Sequence, residues 1–121
     1  MARVLIVEDE LLIIEDLKHK LTRLGHSVLA HATSGEIAVQ KATDTNPDLV
    51  LMDVRLRGRM SGVEAARRIR ETHNVPIIYV TAQASAVSEI VGRQEHQYVL
   101  TKPFALAQLE SIISAALQPA L

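Results

Sequence analysis

Five side chains in this sequence have the types and settings to do chemistry together: Glu8, Asp9, Asp53, Thr81 and Lys102. Each ends or directly follows a short apolar run: Val4–Val7 before Glu8 and Asp9, Leu49–Met52 before Asp53, Pro76–Val80 before Thr81, and Tyr98–Thr101 before Lys102. Three carboxylates gathered in one place repel one another and raise one another's pKa unless a cation sits among them. Mg²⁺ suits such a set, because a hard cation takes carboxylate and water oxygens and commonly shares them with a phosphate. A carboxylate beside it can attack phosphorus and form an acyl phosphate. Asp53 is the best nucleophile of the three because it terminates the central run Leu49-Val50-Leu51-Met52. Thr81 offers a hydroxyl donor and Lys102 a positive charge for phosphoryl oxygens. Positioning and charge neutralisation are most of what phosphoryl transfer asks of a protein.

For these groups to meet, the runs that carry them must be neighbouring strands of one sheet. The chain alternates apolar runs with helical patterns from end to end, which reads as five βα units. Val4–Val7 is continuous in apolar residues, as a strand buried on both faces should be. After it, Ile13, Ile14, Leu17, Leu21 and Leu24 recur at helical spacing up to Gly25, an expected C-terminal cap. Ser27–His31 offers a second strand, and Thr33 with Glu36 has capping-box spacing for a helix that Asn46-Pro47 stops. Ser61 with Glu64 has the same spacing and opens a helix expected to end near His73-Asn74. A fourth helix is expected within Ser85–Arg93, and a last one from Leu106 to about Leu117, with Leu106, Leu109, Ile112, Ile113 and Ala116 on one face. Strands alternating with helices imply a parallel sheet with right-handed crossovers and helices on both sides. In such sheets ligands bind beyond the carboxyl ends of the strands, which is where the five polar groups fall.

Composition narrows the classes. A chain of 121 residues is expected to form one domain over 1–121. Its core must come from Val, Ile, Leu and Ala, since only Tyr79, Tyr98 and Phe104 are aromatic. Thirteen basic residues against fourteen acidic ones leave a formal charge of −1 without a long block of either sign. Arg55, Arg57, Arg59, Arg67, Arg68 and Arg70 read as a solvated loop and helix face, so no direct nucleic-acid contact is expected. The absence of Cys excludes disulfides, a thiolate nucleophile and Cys-based metal sites, and agrees with a cytoplasmic location. The opening apolar run is too short for a signal peptide or a membrane span, and the five His residues lack metal-ligand spacing.

Five stretches, Val4-Leu5-Ile6-Val7-Glu8-Asp9-Glu10, Leu51-Met52-Asp53, Ser61-Gly62, Val80-Thr81-Ala82 and Thr101-Lys102-Pro103-Phe104, make the chain resemble the receiver domain of two-component response regulators over essentially its full length. The resemblance implies an α/β, flavodoxin-like (βα)5 fold with strand order 2-1-3-4-5. It implies that Asp53 accepts a phosphoryl group from a sensor histidine kinase or histidine phosphotransfer protein. Mg²⁺ would be held by Asp9, Asp53 and the backbone carbonyl of Arg55, with Glu8 reaching it mainly through water. Thr81, Ala82 and Lys102 would bind the phosphoryl oxygens, and the Lys102-Pro103 peptide is expected to be cis. The surface for a downstream protein or a homodimer would be the Ser85–Arg93 helix, the Tyr98–Thr101 strand and the last helix. Such a domain catalyses only its own phosphorylation and dephosphorylation, and needs no membrane.

Two departures from the family pattern matter. Arg57 stands where members commonly have proline, four residues after the acceptor, and the Val54–Ser61 loop is about one residue longer than usual. Val99 stands where related receivers often carry a Tyr or Phe that moves inward on phosphorylation, and Tyr98 is displaced by one residue, which reverses the face it points to. Either a bulge restores Tyr98 to that role, or coupling from Thr81 runs without an aromatic. Arg55 and Gln83 occupy the positions that tune phosphoryl lifetime in the family.

Singly, each residue has a plainer explanation: Glu8-Asp9-Glu10 beside the positive end of a helix, Asp53 capping a loop, Thr81 closing a turn, Lys102 a surface charge. Coincidence at four strand ends is the less economical account. Two rival functions share the residues: a receiver-like docking module that is never phosphorylated, and an aspartate-nucleophile phosphohydrolase. The hydrolase chemistry wants an acid two residues after the nucleophile, where this chain has Arg55.

Overall fold

The computed structural model describes residues 1–82 and 98–118, so the expected helix in Ser85–Arg93 and Gln83 lie outside the described residues. The described elements are β1 (Arg3–Val7), α1 (Leu11–Arg23), β2 (Ser27–Ala32), α2 (Gly35–Thr45), β3 (Leu49–Asp53), α3 (Gly62–Thr72), β4 (Ile77–Thr81), β5 (Tyr98–Thr101) and α4 (Leu106–Leu117). The strands form one sheet in the order β2-β1-β3-β4-β5, with every neighbouring pair parallel. This is the flavodoxin-like arrangement that the motif resemblance implied.

Side chains of a strand alternate between its faces, and the sheet accordingly builds two cores. Leu5, Val7, Val50, Met52, Ile77 and Tyr79 pack with Ala38 and Ala42 of α2 and Ala65, Ala66 and Ile69 of α3. Val4, Ile6, Leu49, Leu51, Ile78, Val80 and Leu100 face the other way, onto Ile14, Leu17 and Leu21 of α1 and Leu109 and Ile113 of α4. The α2 and α3 contacts are mostly alanines, which let these helices lie close to the strands. Residues 49–53 and 77–81 are buried throughout, because a central parallel strand is covered on both sides.

Helix ends fall near the expected positions, with one correction. α2 is capped by Ser34, whose Oγ accepts from the Ile37 N–H at 3.2 Å, and not by Thr33. β2 runs on to Ala32, one residue beyond the expected end, and this shifts the helix start by one. Ser61 caps α3 as expected, accepting from the Glu64 N–H at 3.1 Å. α1 ends at Leu24-Gly25, and α2 at Asn46, which takes a left-handed conformation before Pro47. Among the described residues no helix is long and apolar enough to cross a membrane.

Candidate functional site

Because the strands are parallel, everything that follows their carboxyl ends lies along one edge of the sheet. Glu8 and Asp9 continue from β1, Asp53 ends β3, Thr81 ends β4, and Lys102 follows β5. Backbone hydrogen bonds fix these short continuations. The Glu8 N–H donates to the Ala32 carbonyl at 2.9 Å, tying the turn after β1 to β2. The Lys102 N–H donates to the Thr81 carbonyl at 2.7 Å, which sets the lysine beside the threonine, and the Lys102-Pro103 peptide that follows is cis.

The side chains converge. One oxygen from each of Glu8, Asp9 and Asp53 lies within 4.8 Å of the others. The ammonium of Lys102 stands between two of them, 2.8 Å from Glu8 Oε1 and 3.9 Å from Asp53 Oδ2. Asp53 Oδ1 accepts from the Arg55 N–H at 3.1 Å, so the two oxygens of the carboxyl have different partners. Glu8, Asp53 and Thr81 are buried, at 1%, 8% and 4% exposure, and Asp9 is more open.

One ammonium does not balance the two buried carboxylates of Glu8 and Asp53 with Asp9 close beside them. Burial first, and then the Glu8 carboxyl alongside, push Asp53 up to about 8, against the opposing pull of Lys102 and of the Arg55 N–H. A divalent cation is the alternative to a proton for relieving this repulsion. The donor set fits Mg²⁺, since it consists only of hard oxygens, gathered within 4.8 Å of one another.

Past Asp53 the chain makes a close approach that only glycine permits. A Cβ on Gly62 would fall onto the carbonyl of Asp53, with its carbon at 2.9 Å and Val54 Cα at 3.0 Å. The Gly62 N–H donates to Val54 O at 3.1 Å, closing the loop at its base. Within the loop Gly58 turns at φ 103°, and Met60 is buried against Gly35 at the start of α2. Arg57 reaches back from this loop, placing Nε 3.5 Å from Asp9 Oδ2. Neither the Met60–Gly35 anchor nor the Arg57–Asp9 pair was singled out from the sequence. The signal was local: Met60 is, with Val54 and Leu56, one of three apolar residues in the Val54–Ser61 loop, and Arg57 replaces a common proline.

The remaining sequence-selected positions are placed as follows. The Arg55 side chain, Ala82 and Pro103 are exposed at the same edge. β4 and β5 pair in unbroken register, Tyr79 with Val99 and Ile78 with Tyr98, so no bulge turns Tyr98 around. Val99 packs on the α2 and α3 side, whereas Tyr98 packs on the α1 and α4 side and donates its hydroxyl to Ala115 O of α4 at 3.2 Å. The aromatic on the Val99 side is Tyr79, buried and flanked by the Arg70 guanidinium 5.9 Å from its ring centre.

The geometry agrees with a comparison across known proteins, in which residues 4–114 match the family described as response regulator receiver domain. The chain belongs to this family. As a receiver it matches part of longer regulators: it is 36% identical over 116 residues to the phyllosphere-induced regulator PhyR of Methylorubrum extorquens, covering 94% of this chain and 43% of that protein. It is 38% identical over 120 residues to the transcriptional regulatory protein AfsQ1 of Streptomyces coelicolor, covering 98% and 52% respectively. Among solved structures, the signal receiver domain of a modulated diguanylate cyclase from Desulfovibrio desulfuricans superposes with a TM-score of 0.87 at 36% identity, covering 97% of this chain and 94% of that one. The receiver thus spans about half the length of the curated relatives it matches. Those relatives are named as regulators; receiver domains generally bind Mg²⁺ at an acidic pocket, and this chain gathers an acidic cluster of Glu8, Asp9 and Asp53.

Proposed function

We propose that residues 1–121 form one receiver unit in which Asp53 accepts a phosphoryl group from the phosphohistidine of a sensor kinase or phosphotransfer protein. The observation that carries this reading is the convergence of Glu8, Asp9, Asp53 and the Lys102 ammonium at one sheet edge. A carboxylate oxygen of Asp53 attacks phosphorus, the P–N bond to the donor imidazole breaks, and the bonding pair leaves with the imidazole nitrogen. Mg²⁺, when bound, would supply positive charge toward the phosphoryl oxygens and would offset repulsion among the carboxylates. Asp9, Asp53 and the Arg55 carbonyl would hold it, with Glu8 acting mainly through water.

The chain's own groups do the positioning. The Arg55 N–H holds Oδ1 of Asp53, leaving Oδ2 facing Lys102. Lys102 needs only to exchange its Glu8 contact for a phosphoryl oxygen, and Thr81 and Ala82 line the edge beside it. Arg55, exposed two residues after the acceptor, shields the acyl phosphate from water, and Gln83 shares that tuning role. Phosphorylation shifts an existing equilibrium and is read out in the cytoplasm by a downstream protein or a second copy. Pro103 and Val99 lie on the route to the surface of β5 and α4, and with Tyr98 turned to the other face and bonded to α4 the coupling from Thr81 runs without a mobile aromatic.

The test is a small-molecule phosphodonor supplied with and without Mg²⁺, followed by intact mass. One phosphoryl adduct on the wild type with Mg²⁺, and none on Asp53→Asn, is expected. Sustained turnover of a phosphate ester would point to the hydrolase instead, and no adduct from a small donor or a kinase would point to a docking module.

A further inference from the structure

Asp9 already has a cation at its side. The Arg57 Nε lies 3.5 Å from Asp9 Oδ2, with the Arg57 side chain 87% exposed and that of Asp9 only 13% exposed. The guanidinium therefore covers the carboxylate from the solvent side. Its backbone is fixed by the loop, which is closed at its base by the Gly62 N–H on Val54 O, turned at Gly58 and anchored by buried Met60 against Gly35. The Arg57 side chain itself extends into solvent.

We infer that Arg57 is an internal competitor for Asp9, a tethered cation that must be displaced before a divalent ion engages this carboxylate and that thereby lowers the site's affinity for Mg²⁺. The inference rests on the reading of Glu8, Asp9 and Asp53 as the Mg²⁺ site and adds a regulator to it. A ligand oxygen shared with a guanidinium is less available to the metal, and a monocation held in place repels a dication arriving beside it. Exposed ion pairs of this kind correspond to about a two- to fivefold change in the affinity of a competing ligand. Salt screens such a pair, so the competition is strongest at low ionic strength.

MgCl₂ titrations of the full chain, by calorimetry and by NMR of the arginine Nε–H resonances, test this. Arg57→Ala is expected to tighten Mg²⁺ binding about two- to fivefold at low salt, with the gain shrinking as salt rises. In the wild type the Arg57 Nε–H resonance is expected to shift as Mg²⁺ saturates. Arg59→Ala removes the same charge from the same loop and is expected to change affinity less. Equal effects of Arg57→Ala and Arg59→Ala would overturn the competitor, leaving only a general field. Mg²⁺ binding that Asp9→Asn weakens but Arg57→Ala leaves unchanged would also overturn it while the Mg²⁺ site stands. Wild-type binding that is absent, or insensitive to Asp9→Asn, would overturn the metal site and the competitor together.

Discussion

Gly62→Ala is expected to damage stability and phosphorylation together, because one hydrogen on Gly62 is all that separates α3 from the strand end carrying Asp53. The added methyl meets the Asp53 carbonyl, its carbon at 2.9 Å and Val54 Cα at 3.0 Å, all of them backbone atoms that cannot rotate aside. Relief requires the start of α3 to move away from β3. Overpacking of this kind costs about 1–3 kcal/mol. Moving α3 also stretches the Gly62 N–H bond to Val54 O, now 3.1 Å, a hydrogen bond worth about 1 kcal/mol. Replacing glycine by alanine in a helix returns up to about 1 kcal/mol, so a net loss of about 1–3 kcal/mol is expected. Urea unfolding measures it, with Ser61→Ala as the comparison. That variant loses the cap on Glu64 N–H, at about 1 kcal/mol, but leaves Asp53 undisturbed. Phosphorylation by a small donor should slow in Gly62→Ala and stay near wild type in Ser61→Ala. If Gly62→Ala unfolds at the wild-type urea concentration, the close approach does not hold α3 against Asp53 and the reasoning fails.

Three further outcomes follow from particular contacts. Arg55→Ala should shorten the lifetime of the phosphorylated form without altering its formation, as followed by adduct decay; an unchanged decay rate removes Arg55 from the tuning role. Tyr98→Phe deletes the hydroxyl bond to Ala115 O and should cost about 0.5–1.5 kcal/mol in urea unfolding while phosphorylation proceeds normally; a slowed phosphorylation would put Tyr98 back on the switching route. His26 accepts the Ala2 N–H on Nδ1 at 2.9 Å, and burial, followed by the nearby chain N-terminus, lowers its pKa. The unfolded chain then binds a proton that the folded chain resists, so stability present above the ordinary histidine range falls as pH drops through and below it. His26→Gln should flatten that part of a Tm-against-pH profile, and an unchanged slope would place the effect elsewhere.

Much of the fold was legible because its strands are buried on both faces and so appear as unbroken apolar runs, as at Val4–Val7 and Leu49–Met52. The site followed, since parallel strands deliver whatever succeeds each run to one edge. The off-by-one cap at α2 arose because Thr33 and Ser34 are both capable caps, and the strand's length rather than the local motif decides between them. Whether Tyr98 or Val99 faces the α2 and α3 side depended on a bulge, which alternation along a strand cannot reveal and the β4–β5 register does. The Arg57–Asp9 pair was illegible for a different reason. It joins residues 48 positions apart through the path of a loop that a glycine turn and the Met60–Gly35 contact shape together.

The central claim is that the phosphoryl group is carried by Asp53 and by no other side chain. Phosphorylation in the presence of Mg²⁺, borohydride reduction of the acyl phosphate, and fragment mass spectrometry locate it directly. The account predicts homoserine at position 53 in the wild type and no reduced residue in Asp53→Asn. Label on Glu8, Asp9 or a histidine, or an Asp53→Asn protein that still takes up phosphoryl groups, would contradict it.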